Sequence, residues 1–458
     1  GQKMKNIAII LASGSGSRFG SKLPKQFVRL AGKPVIQYTI EAFENSDCID
    51  EIIIVSKEDY IDFIYEIINT QLFKKVSKVV IGGAQRYDST LSALKAIDSD
   101  EANLIIHDAV RPFVSEDIIN RCVTALRSFN AVDVVVDATD TIVRVRDEII
   151  QDIPDRRFLK RGQTPQAFKK TTLEKAYGLF MKDSEKIASD DCGIVLKYLP
   201  EEKICTVNGE EENFKITHQQ DIYLADNLIK DGLFTRLQFN DKKINDALQN
   251  KVVVIIGASS GIGKDIAVLS KTFGARVFPC SRSLNDVDIT EQRSLEQAFQ
   301  KIKDETGKID YIINTSGLLN KKPLMSMSDQ EIKESFDVNY LGVLNVARSG
   351  FKYLKESRGM LINFTSSSYT RGRANYSIYS STKAAVVNLT QALADEWMPF
   401  DIKVNVINPE RTATPMRTAN FGNEDPATLL SSKEVAEFTL SAMSFDHTGQ
   451  VYSIKKDV

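Results

Sequence analysis

Residues 252–270, VVVIIGASSGIGKDIAVLS, restrict the fold more than any other stretch of the chain. A β-branched run breaks at Gly257, passes through a turn of small residues and resumes with helical periodicity. Gly257, Gly261 and Gly263, with Ser259, Ser260 and Ile262 between them, sit where a pyrophosphate must come close to a helix N-terminus. An earlier strand also runs into small residues, LASGSGSRFGSKLPKQ at 11–26. Ala12, Ser13, Gly14 and Gly16 carry no bulky side chains, so backbone N–H groups can converge on phosphate oxygens. Arg18 and Lys25 add positive charge suited to a triphosphate, where negative charge grows during phosphoryl or nucleotidyl transfer. No GK[ST] closes this loop, so it is not a Walker A motif.

Around both turns, short apolar runs alternate with helical patterns. Candidate strands are 7–11, 51–56, 78–81, 104–107 and 132–138 in the first half, which implies an α/β fold with a mainly parallel sheet. The length, 458 residues, suits two or three domains. The polar, irregular stretch DGLFTRLQFNDKKINDALQN (231–250) reads as the connector. The expected organisation is a domain at 4–236, a linker at 237–250 and a domain at 251–458. A net charge of −2 provides no global field for nucleic acid or an anionic membrane. No apolar run is long enough to span a bilayer. The start, GQKMKNIAIILASG, lacks a small-residue cleavage site and is not read as a signal peptide. Five scattered cysteines without a CxxC pair, and only three histidines, point to reduced thiols in a cytoplasm and away from structural zinc.

Six motifs of the first half, in order, resemble the methylerythritol-phosphate and ribitol-phosphate cytidylyltransferases, a nucleotidyltransferase family with a Rossmann-like fold. They are LASGSGSRFGSKLPKQ, GGAQRYDS (82–89), HDAVRP (107–112), DATDT (137–141), DRRFLKRGQTPQAF (155–168) and NFKIT (213–217). The resemblance implies that Arg18 and Lys25 contact the CTP phosphates and stabilise the transition state, with Lys215 near the α-phosphate. It implies cytosine and ribose contacts from Gly82, Gly83 and Ser89. Asp108 and Arg111 match an acceptor-side pair, Arg111 for a sugar phosphate and Asp108 for a polyol hydroxyl or a magnesium-bound water. Thr141 and Arg156 match acceptor-phosphate ligands that reach in from an arm, often across a dimer interface. The acceptor phosphate is already an anionic nucleophile, so no general base is required. Mg2+ is expected mainly on the triphosphate, with Asp108 as the one candidate protein ligand. His107 reads as a packed residue, and Asp190–Asp191 as a helix N-terminal charge preference.

The second half resembles the short-chain dehydrogenase/reductases, a Rossmann fold, through GASSGIG, NTSG (314–317), Asn339, Ser366, YSSTK (379–383) and NPERTATPM (408–416). Tyr379 and Lys383 share one helix face, so Lys383 is expected to lower the phenol pKa below its usual ~10. Tyr379 then donates a proton to a carbonyl as hydride arrives, Ser366 binds the same oxygen and Asn339 supports a water relay. Thr414 matches the residue holding the nicotinamide carboxamide, and Asn314 lies beside the cofactor. The strand at 275–280 ends in Ser281–Arg282 with no acidic residue. Arg282 favours a 2′-phosphate, hence NADPH over NAD, and Asp288 is placed near the adenine. The short segment between Arg282 and Asp288 implies a missing helix, Glu410 replaces the family's glycine, and the short region after Met416 implies an open pocket for a polar substrate.

A cytidylyltransferase for a sugar-alcohol phosphate needs that alcohol, and a fused reductase can make it from a keto-sugar phosphate. The whole chain resembles the bifunctional reductase–cytidylyltransferases of bacterial capsule synthesis, and the resemblance implies reduction of D-ribulose 5-phosphate by NADPH to ribitol 5-phosphate, then CMP transfer from CTP to give CDP-ribitol for a cell-surface polymer such as capsule. Small molecules are the expected partners, and a homodimer the expected assembly. Two alternatives stand beside this: a methylerythritol phosphate transferase with an unrelated reductase, and a live transferase fused to a non-catalytic NADPH-sensing module.

Overall fold

The structure is a computed structural model that describes residues 3–14, 23–187, 190–230 and 239–454. The chain divides into two compact units, Gly1–Tyr223 and Leu224–Val458. In the first, β1 (Asn6–Ala12), β2 (Glu51–Ser56), β3 (Val76–Ile81), β4 (Asn103–Asp108), β5 (Ala131–Asp137), β6 (Lys160–Lys169) and β7 (Ile204–Asn208) form one sheet in the order β7-β5-β6-β4-β1-β2-β3. All pairings are parallel except those of β6, which runs antiparallel to both neighbours. The two last strands were not among the candidates, because KRGQTPQAFK and ICTVN lack a long apolar run.

Alternate residues of β1 feed two cores, as a strand buried on both faces must. Ala8 and Ile10 pack with Ile36, Ile40 and Phe43 of the helix Val35–Glu44. Ile7 and Ile9 pack with Ala93 and Leu94 of the helix Arg86–Ala96, and with Tyr177 and Phe180 of the helix Lys170–Lys182. Backbone bonds then tie the strand ends together. Gly82 N donates to Ser56 O at 2.9 Å and Ala109 N to Leu11 O at 3.0 Å. The small-residue turn, Gly82 and Asp108 therefore meet at one edge of the sheet.

The second unit holds β8 (Val252–Ile256), β9 (Arg276–Cys280), β10 (Tyr311–Asn314), β11 (Met360–Phe364), β12 (Lys403–Pro409) and β13 (Val451–Ile454), all parallel, in the order β9-β8-β10-β11-β12-β13. Val252, Val254 and Ile256 enter one core with Leu295 and Phe299, and Val253 and Ile255 the other with Ile266 and Leu440. The candidate ligand residues all follow strand ends, where open parallel sheets bind ligands. Between Arg282 and Asp288 there is a single helical turn, Arg282–Asn285. Part of the stretch read as a linker is a helix, Asp241–Leu248, capped by Asn240. Its Ile244 and Leu248 are fully buried in the second unit's core. The polar residues between those two made the segment look irregular, but they cover the solvent face of an amphipathic helix.

Candidate active sites

The first site is a cleft of about 200 Å³ at the end of β1 and β4, lined by Ala12, Ser13, Gly14, Lys25, Gly83 and Lys215 among others. Gln26, which the sequence reading did not single out, shapes it. Its buried amide donates to Ala12 O at 2.8 Å and Gly14 O at 3.2 Å, fixing the mouth of the turn. Ser13 Oγ meets Ser89 Oγ at 2.5 Å across the cleft. A Cβ on Gly82 would lie 2.5 Å from Ser89 Oγ and 2.8 Å from Val55 Cγ1, so only glycine lets these segments close up. On Gly83 it would lie 2.3 Å from Asp88 Cβ. Gly16 and Arg18 lie outside the described residues.

Asp108 is buried and gripped by two arginines. Arg86 Nη1 donates to Oδ1 at 2.5 Å and Arg111 Nε to Oδ2 at 3.4 Å. Burial alone would raise its pKa, but Arg86, Lys215 and Arg111 outweigh that and hold the carboxyl well below the usual range. Each carboxylate oxygen accepts from one guanidinium, which fixes the group and leaves a lone pair on each for a further donor or ligand. No group of three or more His, Cys, Asp or Glu suited to a metal occurs among the described residues. Arg111 also donates to Asn213 O at 2.9 Å, and Ile216 N to Val110 O at 2.9 Å, which seats the segment carrying Lys215. Arg86 was read only as part of a motif. Its guanidinium also reaches Asp191 at 3.7 Å, whose carboxylate accepts from Tyr177 at 2.5 Å and Thr90 at 3.3 Å. Asp191 thus backs the site from the core, while Asp190 caps its helix through Gly193 N at 2.7 Å.

His107 is fully buried, with Nε2 2.8 Å from Arg111 O and Nδ1 2.9 Å from Thr164 Oγ1. Burial pushes its pKa down to about 4. The neutral ring donates through Nε2–H and accepts the Thr164 hydroxyl, which itself accepts from Asp108 N at 3.1 Å. His107 therefore positions Asp108 and Arg111 and takes no part in proton transfer. Thr141 and Arg156 do not join the cleft: both are exposed, and Arg156 donates to Thr139 O at 3.1 Å. Between them a hairpin, Arg144–Arg146 with Ile149–Asp152, leaves Val145, Ile149 and Ile150 more than half exposed.

The second unit carries two adjoining clefts. The larger, about 430 Å³, runs from Gly257–Gly263 to Arg282, Asp288 and Thr414. Gly257 has φ +81°, and a Cβ there would lie 2.8 Å from Thr315 Oγ1. On Gly263 it would lie 2.5 Å from Gly257 O. This close approach opens the N-terminus of the helix Gly261–Thr272 to an anion. Arg282 is exposed and pairs with Asp288 at 3.0 Å, and Asp288 also accepts from Thr290. Asn314 is buried and turns back to accept from Ser316 N at 3.0 Å. The residues present fit a dinucleotide with a 2′-phosphate: a glycine cradle for the pyrophosphate and a guanidinium, not a lone carboxylate, after β9.

The smaller cleft, about 350 Å³, is lined by Ser366, Tyr379, Lys383, Tyr376, Phe421 and Arg373 among others. Asn339 sits in a π-helical turn, Asp337–Leu341, and clamps Leu318 through N and O, both at 2.8 Å. A Cβ on Gly317 would meet Lys383 Nζ at 3.4 Å and Asn339 Oδ1 at 3.8 Å, so these groups share one corner. Burial pushes the Tyr379 phenol up, opposed by a hydrogen bond with Ser366. Burial also brings the Lys383 amine down to about 8. The amine lies 5.8 Å from the ring centroid and donates to Phe364 O at 3.3 Å.

A family model described as 2-C-methyl-D-erythritol 4-phosphate cytidylyltransferase matches residues 6–231, and one described as short chain dehydrogenase matches 284–425. The latter spans Ser366, Tyr379, Lys383 and Thr414 and begins after the glycine turn. Over 99% of its length the chain is 46% identical to the bifunctional ribulose 5-phosphate reductase/CDP-ribitol pyrophosphorylase Bcs1 of Haemophilus influenzae, covering 96% of that protein. Its first half is 41% identical to the 2-C-methyl-D-erythritol 4-phosphate cytidylyltransferase of Thermobifida fusca (49% of this chain, 94% of that one). It is 38% identical to the ribitol-5-phosphate cytidylyltransferase of Lactiplantibacillus plantarum (49% and 97%).

Proposed function

The chain belongs to the family of bifunctional ribulose 5-phosphate reductase/CDP-ribitol pyrophosphorylases, and from that premise we propose that it reduces D-ribulose 5-phosphate to ribitol 5-phosphate with NADPH and then transfers CMP from CTP, giving CDP-ribitol and pyrophosphate. The observation that carries this reading is the full-length likeness to one bifunctional relative, supported by clefts lined by Lys25 and Lys215 in one unit and by Ser366, Tyr379 and Lys383 in the other. We take residues 4–236 as the transferase and 251–458 as the reductase, with the helix Asp241–Leu248 as an added N-terminal element of the latter. A cytoplasmic homodimer supplying a surface polymer is part of the same proposal. In it, Thr141 and Arg156 serve the partner's acceptor site, and the exposed apolar hairpin is covered. No helix among the described residues is long and apolar enough to cross a membrane.

In the transferase, the ribitol 5-phosphate oxygen attacks the α-phosphorus of CTP, and the bond to pyrophosphate breaks. Gly82, Gly83 and Ser89 line the nucleoside, Lys25 and Lys215 neutralise the gathering charge, and Arg18 is assigned the same task. Asp108, held ionised by Arg86 and Arg111, accepts a polyol hydroxyl and orients the acceptor. Any magnesium rides on the triphosphate, and no step is given to a protein-held ion.

In the reductase, bound NADPH supplies the hydride. Gly257–Gly263 and Thr414 would hold the dinucleotide, and Arg282 would hold its 2′-phosphate. Ser366 orients the ketone oxygen and Tyr379 protonates it. Lys383 and Asn339 then reload it from solvent.

The test follows NADPH absorbance with ribulose 5-phosphate, then pyrophosphate after CTP is added. Both signals in that order are expected. No NADPH oxidation with ribulose 5-phosphate refutes the reductase assignment, and full flux from the ketose in a Tyr379→Phe variant would reduce the second unit to a sensor.

A further inference from the structure

The ketone pocket holds more positive charge than carbonyl reduction needs. Arg373, Lys383, Arg411 and Arg417 line it, against one carboxylate, Glu410. Two of these cations are already committed. Lys383 is buried beneath Tyr379. Arg417 is held by both oxygens of Glu424, at 2.8 and 3.2 Å, and lies 4.0 Å from the Phe421 ring centroid. Arg373 and Arg411 differ: neither side chain has a hydrogen bond or an ion pair among the described residues.

Both arginines are fixed at the backbone and free at the tip. Arg373 O accepts from Tyr376 N at 3.1 Å, at the start of the helix that carries Tyr379. Arg411 O accepts from Leu430 N at 2.8 Å, just past the end of β12. Both line this pocket and also an adjoining cleft of about 280 Å³ with Ser367, Asn408, Ser453 and Glu410. Two exposed guanidinium groups at one mouth repel each other until an anion lies between them. A dianion with several acceptor oxygens suits such a fork, because each arginine can donate two parallel hydrogen bonds. A neutral sugar cannot use that charge.

We infer that Arg373 and Arg411 bind the phosphate of the keto-sugar and select phosphorylated over free ketoses, an inference that rests on the reductase reading above. Ser366 and Tyr379 hold the carbonyl end of the same molecule, so the two arginines set which substrates reach them and perform no chemistry.

The experiment measures NADPH oxidation by the full chain with D-ribulose 5-phosphate and with D-ribulose, in the wild type and in Arg373→Gln and Arg411→Gln variants. The readout is the ratio of kcat/KM for the phosphorylated to the free sugar. Each substitution should lower that ratio by about 10–100-fold, mostly through KM, as expected for lost ground-state binding. Arg→Lys at either position should recover part of it. An unchanged ratio overturns the inference, whether activity is kept or lost equally on both sugars. If ribulose 5-phosphate is inert but another ketose phosphate is reduced and its preference collapses in the variants, the proposed substrate falls and the phosphate clamp stands. If the wild type prefers no ketose phosphate over its parent sugar, the clamp itself is refuted.

Discussion

Replacing Lys383 by methionine should stabilise the reductase unit while abolishing its activity. Burial lowers the Lys383 pKa from 10.5 to about 8. At 1.36 kcal/mol per pH unit, keeping the ammonium in the core costs about 3 kcal/mol. The charged form is the disfavoured one, so this cost is fully present below pH 8. It fades as the pH rises toward 10.5, where the unfolded chain loses its proton as well. Methionine fills similar volume with no charge and loses the 3.3 Å bond to Phe364 O, worth about 1.5 kcal/mol for a charged donor. The net gain at pH 7 is about 2 kcal/mol. The chain has one tryptophan, Trp397, packed in the second unit's core, so its fluorescence during urea unfolding reports that unit alone. The variant's advantage should shrink by about 2 kcal/mol between pH 7 and pH 9.5. An advantage that does not change with pH, or a variant less stable at pH 7, would refute the claim that Lys383 carries a desolvation cost.

Three further outcomes follow from the geometry. Lys215→Ala should cut pyrophosphate release by about 10²–10³-fold, as for other lost charge-stabilising donors, while NADPH oxidation is unaffected. Gly82→Ala forces a methyl into the Ser13–Ser89 contact. It should cost about 1–3 kcal/mol, seen as a raised KM for CTP and a lower urea midpoint followed by circular dichroism. Arg282→Ala should narrow the preference for NADPH over NADH by about 10–100-fold, because a guanidinium–phosphate contact is lost. An unchanged ratio of kcat/KM for the two cofactors would remove Arg282 from the 2′-phosphate site.

What could be read from the sequence was whatever depends on spacing along the chain. The glycines at 257, 261 and 263, and Tyr379 one helical turn before Lys383, declare their roles because turn and helix geometry fix where they lie. The strand Lys160–Lys169 escaped notice because it sits between β4 and β5 in the sheet, and its glycine, proline and glutamines carry a site as well as a ladder. The roles of Gln26 and Thr164, and of Asp191 beyond its place at a helix N-terminus, escaped for a related reason. These residues act on backbone and side chains 14 to 101 residues away, and no periodicity records that separation.

The tyrosine–lysine pair shows most clearly where sequence reasoning stops. Helical spacing places Lys383 on the face of Tyr379, and from that a lowered phenol pKa follows in water. In the folded chain the amine donates to Phe364 O and lies 5.8 Å from the Tyr379 ring centroid, and the burial that brings the two groups together also makes its charge costly to keep. The pair is then tuned from both sides, the phenol raised and the amine lowered. That favours a proton resting on Tyr379 and an amine able to pass one on near neutral pH.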